Sequence, residues 1–168
     1  MMTRLTASVC MGIIAAMAGC VTDGPKRGPK GSQPKDVVPT QIVASIGPFD
    51  DTDGNGYPDS ATISMYVFAD AYPEASVMLP ATLSFRLRAK DGSTIREWAF
   101  TEERTASLVR RGPAGLCYVV RLSLLDTQGG DIVAETRGDL SVTYRTAAGV
   151  TLASVPEAVR IGRSNRPQ

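Results

Sequence analysis

The stretch FDDTDGNGYPDS, residues 49–60, sets four aspartates and one asparagine within a dozen positions, a density of side-chain oxygen found nowhere else in the chain. Hard divalent cations bind such chemistry. Calcium takes six to eight oxygens at about 2.3–2.6 Å, and alternate side chains on a tightly curled loop can all face one ion. Gly54 and Gly56 permit the curl, because glycine enters left-handed backbone at no steric cost. The same residue types also build solvated turns. What separates a cation site from a turn is surplus charge: carboxylates crowded into one small volume repel one another unless a cation sits among them.

Asp51-Thr52-Asp53-Gly54-Asn55-Gly56-Tyr57-Pro58-Asp59 resembles the calcium loop of EF-hand, dockerin and thrombospondin-type repeats, D-x-D-x-[DN]-G-x-x-D, and matches it literally through Gly56. The resemblance implies coordination by the side chains of Asp51, Asp53 and Asn55, by the carbonyl of Tyr57, and by Asp59 directly or through water. Asp50 lies just outside this register. The departures are informative. Thr62 stands where an EF-hand carries its bidentate glutamate, Gly47-Pro48 replaces the entering helix, and Pro58 lacks the amide through which paired EF-hands join their loops. A paired EF-hand sensor is excluded. What remains is a single structural calcium loop between two strands, its other ligands coming from water or another part of the domain, or else a plain Asp/Asn/Gly turn.

Other chemistry is sparse. With no histidine in the chain, histidine-dependent triads, general bases and most zinc sites are absent. No nucleophile elbow, phosphate-cradling glycine loop or S-x-x-K occurs. Cys117 sits mid-strand in an apolar run and reads as a small core residue. Glu102 and Glu103 are adjacent, so on extended chain they point to opposite faces, and they read as a wet loop. The expectation is a protein that is not an enzyme. A carbohydrate- or wall-polymer-binding alternative would use the calcium loop and needs exposed rings nearby, for which Tyr57, Tyr66, Phe68 and Tyr72 are candidates; burial of both faces of that strand is the preferred expectation. Trp98 and Phe100 share a strand face and are expected in the core.

These residues need elements to hold them, and after Thr40 the apolar period is two. In ATLSFRLRAK, Leu83, Phe85 and Leu87 alternate with Thr82, Ser84, Arg86 and Arg88, the pattern of a strand with one buried and one wet face. ATISMYVF, GLCYVVRLSLL and DLSVTYR alternate similarly, the third of these four patterns placing Leu116, Tyr118, Val120, Leu122 and Leu124 on one face. Weaker strands are expected over 41–46, 94–100, 105–110, 150–155 and 158–161. Lys90-Asp91-Gly92-Ser93, Gln128-Gly129-Gly130-Asp131 and Ala147-Ala148-Gly149 read as hairpin turns, and Gly112-Pro113 breaks the strand before it. Without a convincing amphipathic helix, the pattern predicts an all-β fold over 41–162: an antiparallel β-sandwich of about seven to nine strands, immunoglobulin-like or a related Greek key.

The ends read differently. MMTRLTASVCMGIIAAMAGC offers one early cation, Arg4, then an uncharged run too short to span a bilayer comfortably, the layout of a secretion signal. Its ending, Met17-Ala18-Gly19-Cys20, resembles the lipobox of bacterial lipoproteins. That resemblance implies a signal peptide over 1–19, cleavage before Cys20, and acyl chains such as palmitate anchoring the cysteine to a membrane; an ordinary secretory signal is the alternative. Each acyl methylene withdrawn into lipid contributes about 0.8 kcal/mol, so two or three chains hold a protein effectively permanently. Residues 20–40 form a tether whose prolines recur among glycine and lysine, reaching roughly 60 Å if it approaches polyproline extension. Residues 163–168 are expected to be a disordered tail.

Setting aside Arg4, residues 21–40 (four basic, two acidic) and the last thirteen residues (three basic, one acidic) leaves ten basic and fourteen acidic residues, about −4. Such a body is a poor nucleic-acid binder. The layout resembles bacterial lipoproteins that carry one β-sandwich behind a proline-rich tether. By that resemblance the protein is lipid-anchored in the cell envelope and faces the periplasm or cell surface. Val21 lacks the acidic character of inner-membrane retention signals and tilts the expectation to the outer membrane. Expected partners are the membrane, an envelope protein or a wall polymer.

Overall fold

The structure is a computed structural model that describes residues 33, 34 and 36–162. The expected signal peptide, Cys20, most of the tether and the 163–168 tail lie outside the described residues. Among these residues, nine strands form two antiparallel sheets. The first has the order β1-β2-β6-β5, from β1 (Gln41–Asp50), β2 (Ser60–Phe68), β5 (Val109–Gly112) and β6 (Gly115–Ser123). The second runs β4-β3-β7-β8, from β3 (Ala81–Arg88), β4 (Thr94–Phe100), β7 (Arg137–Thr146) and β8 (Thr151–Ala153), with β9 (Glu157–Arg160) pairing the start of β7. This is the immunoglobulin order, ABED facing CFG, with β4 as an added strand beside C.

The period-two segments become strands because each can bury one side. Leu83, Phe85 and Leu87 of β3 and Val142 and Tyr144 of β7 face Ile63, Met65 and Val67 of β2 and Tyr118, Val120 and Leu122 of β6, all at most 3% exposed. Fully burying one such side chain contributes about 1.5–3 kcal/mol. The buried tyrosines also satisfy their polar ends, since Tyr118 and Tyr144 both donate to the Leu79 carbonyl, at 2.9 and 3.3 Å. Trp98 and Phe100, expected in the core, are half-buried and pack against it from its margin; Phe100 meets Phe85 edge to face, and the Trp98 indole donates to Ser123 O at 2.7 Å. Leu116 departs from its expected company and is 39% exposed, because it opens β6 at the rim of the sheet.

Three connections differ from the sequence expectation. The weak strand expected over 105–110 is replaced by a short helix, α1 (Glu102–Ala106), capped by the Thr101 hydroxyl, and pairing resumes only at β5. Glu102 and Glu103 therefore stand in the first turn of a helix rather than in a loop. Gln128–Asp131 does not close a hairpin: β6 belongs to one sheet and β7 to the other, so this segment crosses between layers. Finally, β1 continues beyond Ile46 through a bulge at Gly47-Pro48 up to Asp50. A bulge on an edge strand tolerates a proline that cannot donate, and a Cβ on Gly47 would press to 2.9 Å from Thr62 O.

Residues ahead of β1 also join the body. The Gln33 side chain donates to Met78 O at 2.9 Å and accepts from Met78 N at 2.6 Å, pairing with backbone as another strand would. Val37 is buried in the core cluster.

Candidate metal centre

The loop between β1 and β2 is knotted by its own amides. Asp51 accepts from Gly54 N and Gly56 N, both at 2.8 Å, through its two oxygens. Asp53 accepts from Asn55 N at 3.1 Å, Asn55 Oδ1 from Tyr57 N at 2.8 Å, and Asp59 Oδ2 from Thr52 N at 2.6 Å. Asp59 N donates to Asp50 O at 2.7 Å and closes the neck. Gly54 and Gly56 carry φ of 75° and 90°, so the curl depends on glycine at both positions.

The consequence is convergence. Asp51, Asp53 and Asp59 each offer a carboxylate oxygen, and these oxygens lie within 4.8 Å of one another, close enough to hold a metal ion together. Asp51 and Asp53 are exposed and Asp59 is half-buried. The Thr52 amide holds the Asp59 carboxyl below its ordinary range, which keeps it ionised. Asn55 is tied into the same cluster, its amide nitrogen donating to Asp53 Oδ2 at 3.0 Å. Tyr57 supplies its amide to the loop's internal bonding. Asp50 stands outside on β1, where it faces Arg121 at 3.7 Å, and Thr62 is paired into β2 opposite Arg121. The loop's twelfth position is thus spent on the sheet.

One residue beside this loop was not foreseen. Asp131, from the β6–β7 crossover, is 7% exposed and accepts from Asn55 Nδ2 through both oxygens, at 3.2 and 3.1 Å. A second tie lies close by, since Leu124 N donates to Asp59 O at 2.7 Å. In sequence Asp131 ends a Gly-Gly-Asp turn, and nothing local distinguishes it from any other turn aspartate; its partner is 76 positions away.

The other residues singled out from sequence fall elsewhere. Cys117 is buried, but on the outer face of the first sheet rather than in the central core, because Tyr118, Val120 and Leu122 take the inner positions of β6. It lies under Tyr66, whose hydroxyl is pushed up by burial and by its hydrogen bond with the thiol. A Cβ on Gly112 would overlap that hydroxyl and touch Cys117 Sγ at 3.1 Å, so the glycine makes room for the ring. Tyr66 and Phe68 are half-buried on this outer face, outside the core cluster, with centroids 6.3 Å apart and planes 18° from parallel. The expectation that both faces of β2 are buried holds only for its inner side. Glu102 and Glu103 border a cavity of about 500 Å³ walled by Met78, Leu79, Pro80 and Val109.

The chain matches no protein-family model, no curated protein and no solved structure. Among the described residues, no helix is long and apolar enough to cross a membrane.

Proposed function

We propose that the protein is a lipid-anchored module of the bacterial cell envelope, acting through contacts with another envelope protein or a wall polymer rather than by catalysis. In this reading Cys20 carries the lipid, and one calcium ion held by Asp51, Asp53, Asn55, Tyr57 and Asp59 stiffens one end of the sandwich. The observation that carries the metal half is the convergence of three carboxylates within 4.8 Å on a loop knotted by its own amides. Carboxylate and carbonyl oxygen suit a hard cation, and a flexible arrangement of six to eight oxygens favours calcium over the smaller, strictly octahedral magnesium. The anchor rests on the Met17-Ala18-Gly19-Cys20 resemblance to a lipobox.

Calorimetric titration of calcium chloride into the full-length protein in detergent tests the metal half. Saturable heat in the wild type, lost in Asp53→Ala, supports it; equal melting curves in calcium and in chelator refute it. Metabolic labelling with a radioactive fatty acid, compared between wild type and Cys20→Ala, tests the anchor.

A carbohydrate- or wall-polymer-binding role is favoured by one separate observation. Tyr66 and Phe68 lie side by side, nearly parallel and half-buried on an outer sheet face, as a platform for sugar rings would. Loss of binding to isolated wall polymer in Tyr66→Ala and Phe68→Ala, with binding kept in Asp53→Ala, would single out that face.

A further inference from the structure

We propose that the cavity between α1 and the 78–81 segment is a binding site for a small organic amine, one whose apolar body carries an ammonium group at one end and a hydrogen-bonding oxygen at the other. The site stands apart from the β1–β2 loop and does not depend on its metal reading. The cavity holds about 500 Å³, within the roughly 300–1,000 Å³ usual for small-molecule sites. Met78, Leu79, Pro80, Val109 and the Tyr118 ring give it chiefly apolar walls. Thr105 of α1 is also part of the wall, and it is the anomaly of the molecule. It is 1% exposed, and its Oγ1 is the one buried side-chain polar atom among the described residues that has no hydrogen-bond partner. A hydroxyl can both donate and accept, and burying one without a partner is costly.

The backbone around Thr105 is already engaged. In α1, the Thr105 amide donates to Thr101 O at 2.8 Å, and the Thr105 carbonyl accepts from Leu108 N at 3.0 Å. Across the cavity, Met78 N and O pair with the Gln33 side chain, Leu79 O accepts from both Tyr118 and Tyr144, and Pro80 O accepts from Ala147 N at 3.2 Å. The hydroxyl is left to bond with what enters the cavity. Charge at the border narrows the choice. Glu102 and Glu103 are exposed and belong to neither ion pair among the described residues, Arg86–Glu97 and Arg121–Asp50; Glu103 accepts from the Thr101 hydroxyl at 3.4 Å. An anion would be repelled there, a wholly apolar molecule would leave Thr105 unmet, and a strongly polar one would lose its hydration against Met78 and Leu79. An amine on a ring or short chain with one oxygen suits all three surroundings. A water molecule would meet Thr105 alone, and the experiment separates the two.

The probe is tyramine, which joins a phenol oxygen, a ring and an ammonium. Phenethylamine, which lacks the oxygen, and para-hydroxyphenylacetate, which carries a carboxylate in place of the ammonium, are its controls. Each is titrated into the millimolar range against the full-length protein in phosphatidylcholine nanodiscs, with amide chemical shifts followed by NMR. Tyramine should move the amides of Met78, Leu79, Glu102–Ala106 and Val109 along one saturable curve. Phenethylamine should bind about three- to tenfold more weakly, and para-hydroxyphenylacetate should leave these amides in place. Thr105→Val should remove the advantage of tyramine over phenethylamine and melt no lower than the wild type, because no existing bond is lost. Glu102→Gln combined with Glu103→Gln should weaken both amines and reduce their sensitivity to salt. Tyramine shifts that do not saturate, that miss these amides, or that para-hydroxyphenylacetate reproduces overturn the proposal. So does a Thr105→Val variant that melts below the wild type with tyramine affinity unchanged, since the hydroxyl then serves a water or its own helix. Should Thr105→Val fail to fold, the wild-type order of the three probes decides: tyramine tightest and the acid unbound sustains the site, and any other order refutes it.

Discussion

Two turns of this molecule are made from the same residue types and end differently. Between β3 and β4, one aspartate is enough: Asp91 Oδ1 accepts from Ser93 N at 2.9 Å and Ser93 Oγ at 2.7 Å, Gly92 takes φ of 87°, and the hairpin is closed. Between β1 and β2, Asp51 alone accepts two loop amides, yet Asp53 and Asp59 follow and their oxygens are gathered beside it. A turn needs acceptors for its amides, which the first loop provides with one carboxylate. The second divides its amides among three carboxylates, Asp51 taking Gly54 and Gly56, Asp53 taking Asn55 and Asp59 taking Thr52, and so gathers negative charge that could hold a metal ion.

The comparison can be broken most directly with calcium. At a free concentration one hundred times Kd, the ion should stabilise the protein by about 2.7 kcal/mol, raising the melting temperature by roughly 5–15 °C. Asp51→Ala should lose that gain while Asp91→Ala keeps it, and an equal response of the two variants would erase the distinction.

A matched pair of glycine substitutions sharpens it. Gly54 and Gly92 have φ of 75° and 87° with nothing near a new Cβ, so alanine at either site meets only backbone strain, about 1–2 kcal/mol by chemical denaturation in chelator. Gly54→Ala should in addition weaken calcium binding in calorimetry, and Gly92→Ala should leave it untouched.

Smaller still is the loss of the hairpin's own bonds. Asp91→Ala should lower stability in denaturant melts by less than either glycine change, equally with and without calcium. The smallest effect is on acid stability. Ser93 holds the Asp91 carboxyl below the ordinary aspartate range, so its contribution is complete above that range and is lost as the pH falls through the lowered value. In chelator, the difference in melting temperature between wild type and Asp91→Asn should therefore shrink as the pH is taken from 6 to about 3. A difference that grows on acidification would contradict the hydrogen-bonded carboxylate.

Much of the fold could be read from local pattern because strands announce themselves through neighbours two apart. The inward sets Ile63, Met65, Val67 and Leu83, Phe85, Leu87 follow from alternation alone. So did the curl at 51–59, where glycines and oxygens are close in sequence. What escaped was decided by partners far along the chain. Gln128–Asp131 has turn chemistry, and turn chemistry cannot say whether the next strand pairs back or crosses to the other sheet. The burial of Asp131 depends on that crossing. Cys117 has apolar neighbours on both sides, so its face was ambiguous until Tyr66 and Gly112 were seen to cover it from outside. α1 is too brief to show a helical period, and only the cap from Thr101 betrays it.

If the protein is lipid-anchored as proposed, the pairing of Gln33 with Met78 alters how far the domain could stand from a bilayer. Because the body already grips its own leader at that point, only residues 21–32 are left as leash if Cys20 is the attachment, a reach of roughly 40 Å even at full polyproline stretch. With that attachment Gln33 would stay within this radius of the headgroups, and a pull on the anchor would reach the amide clasp at Met78 before the edge of the sheet.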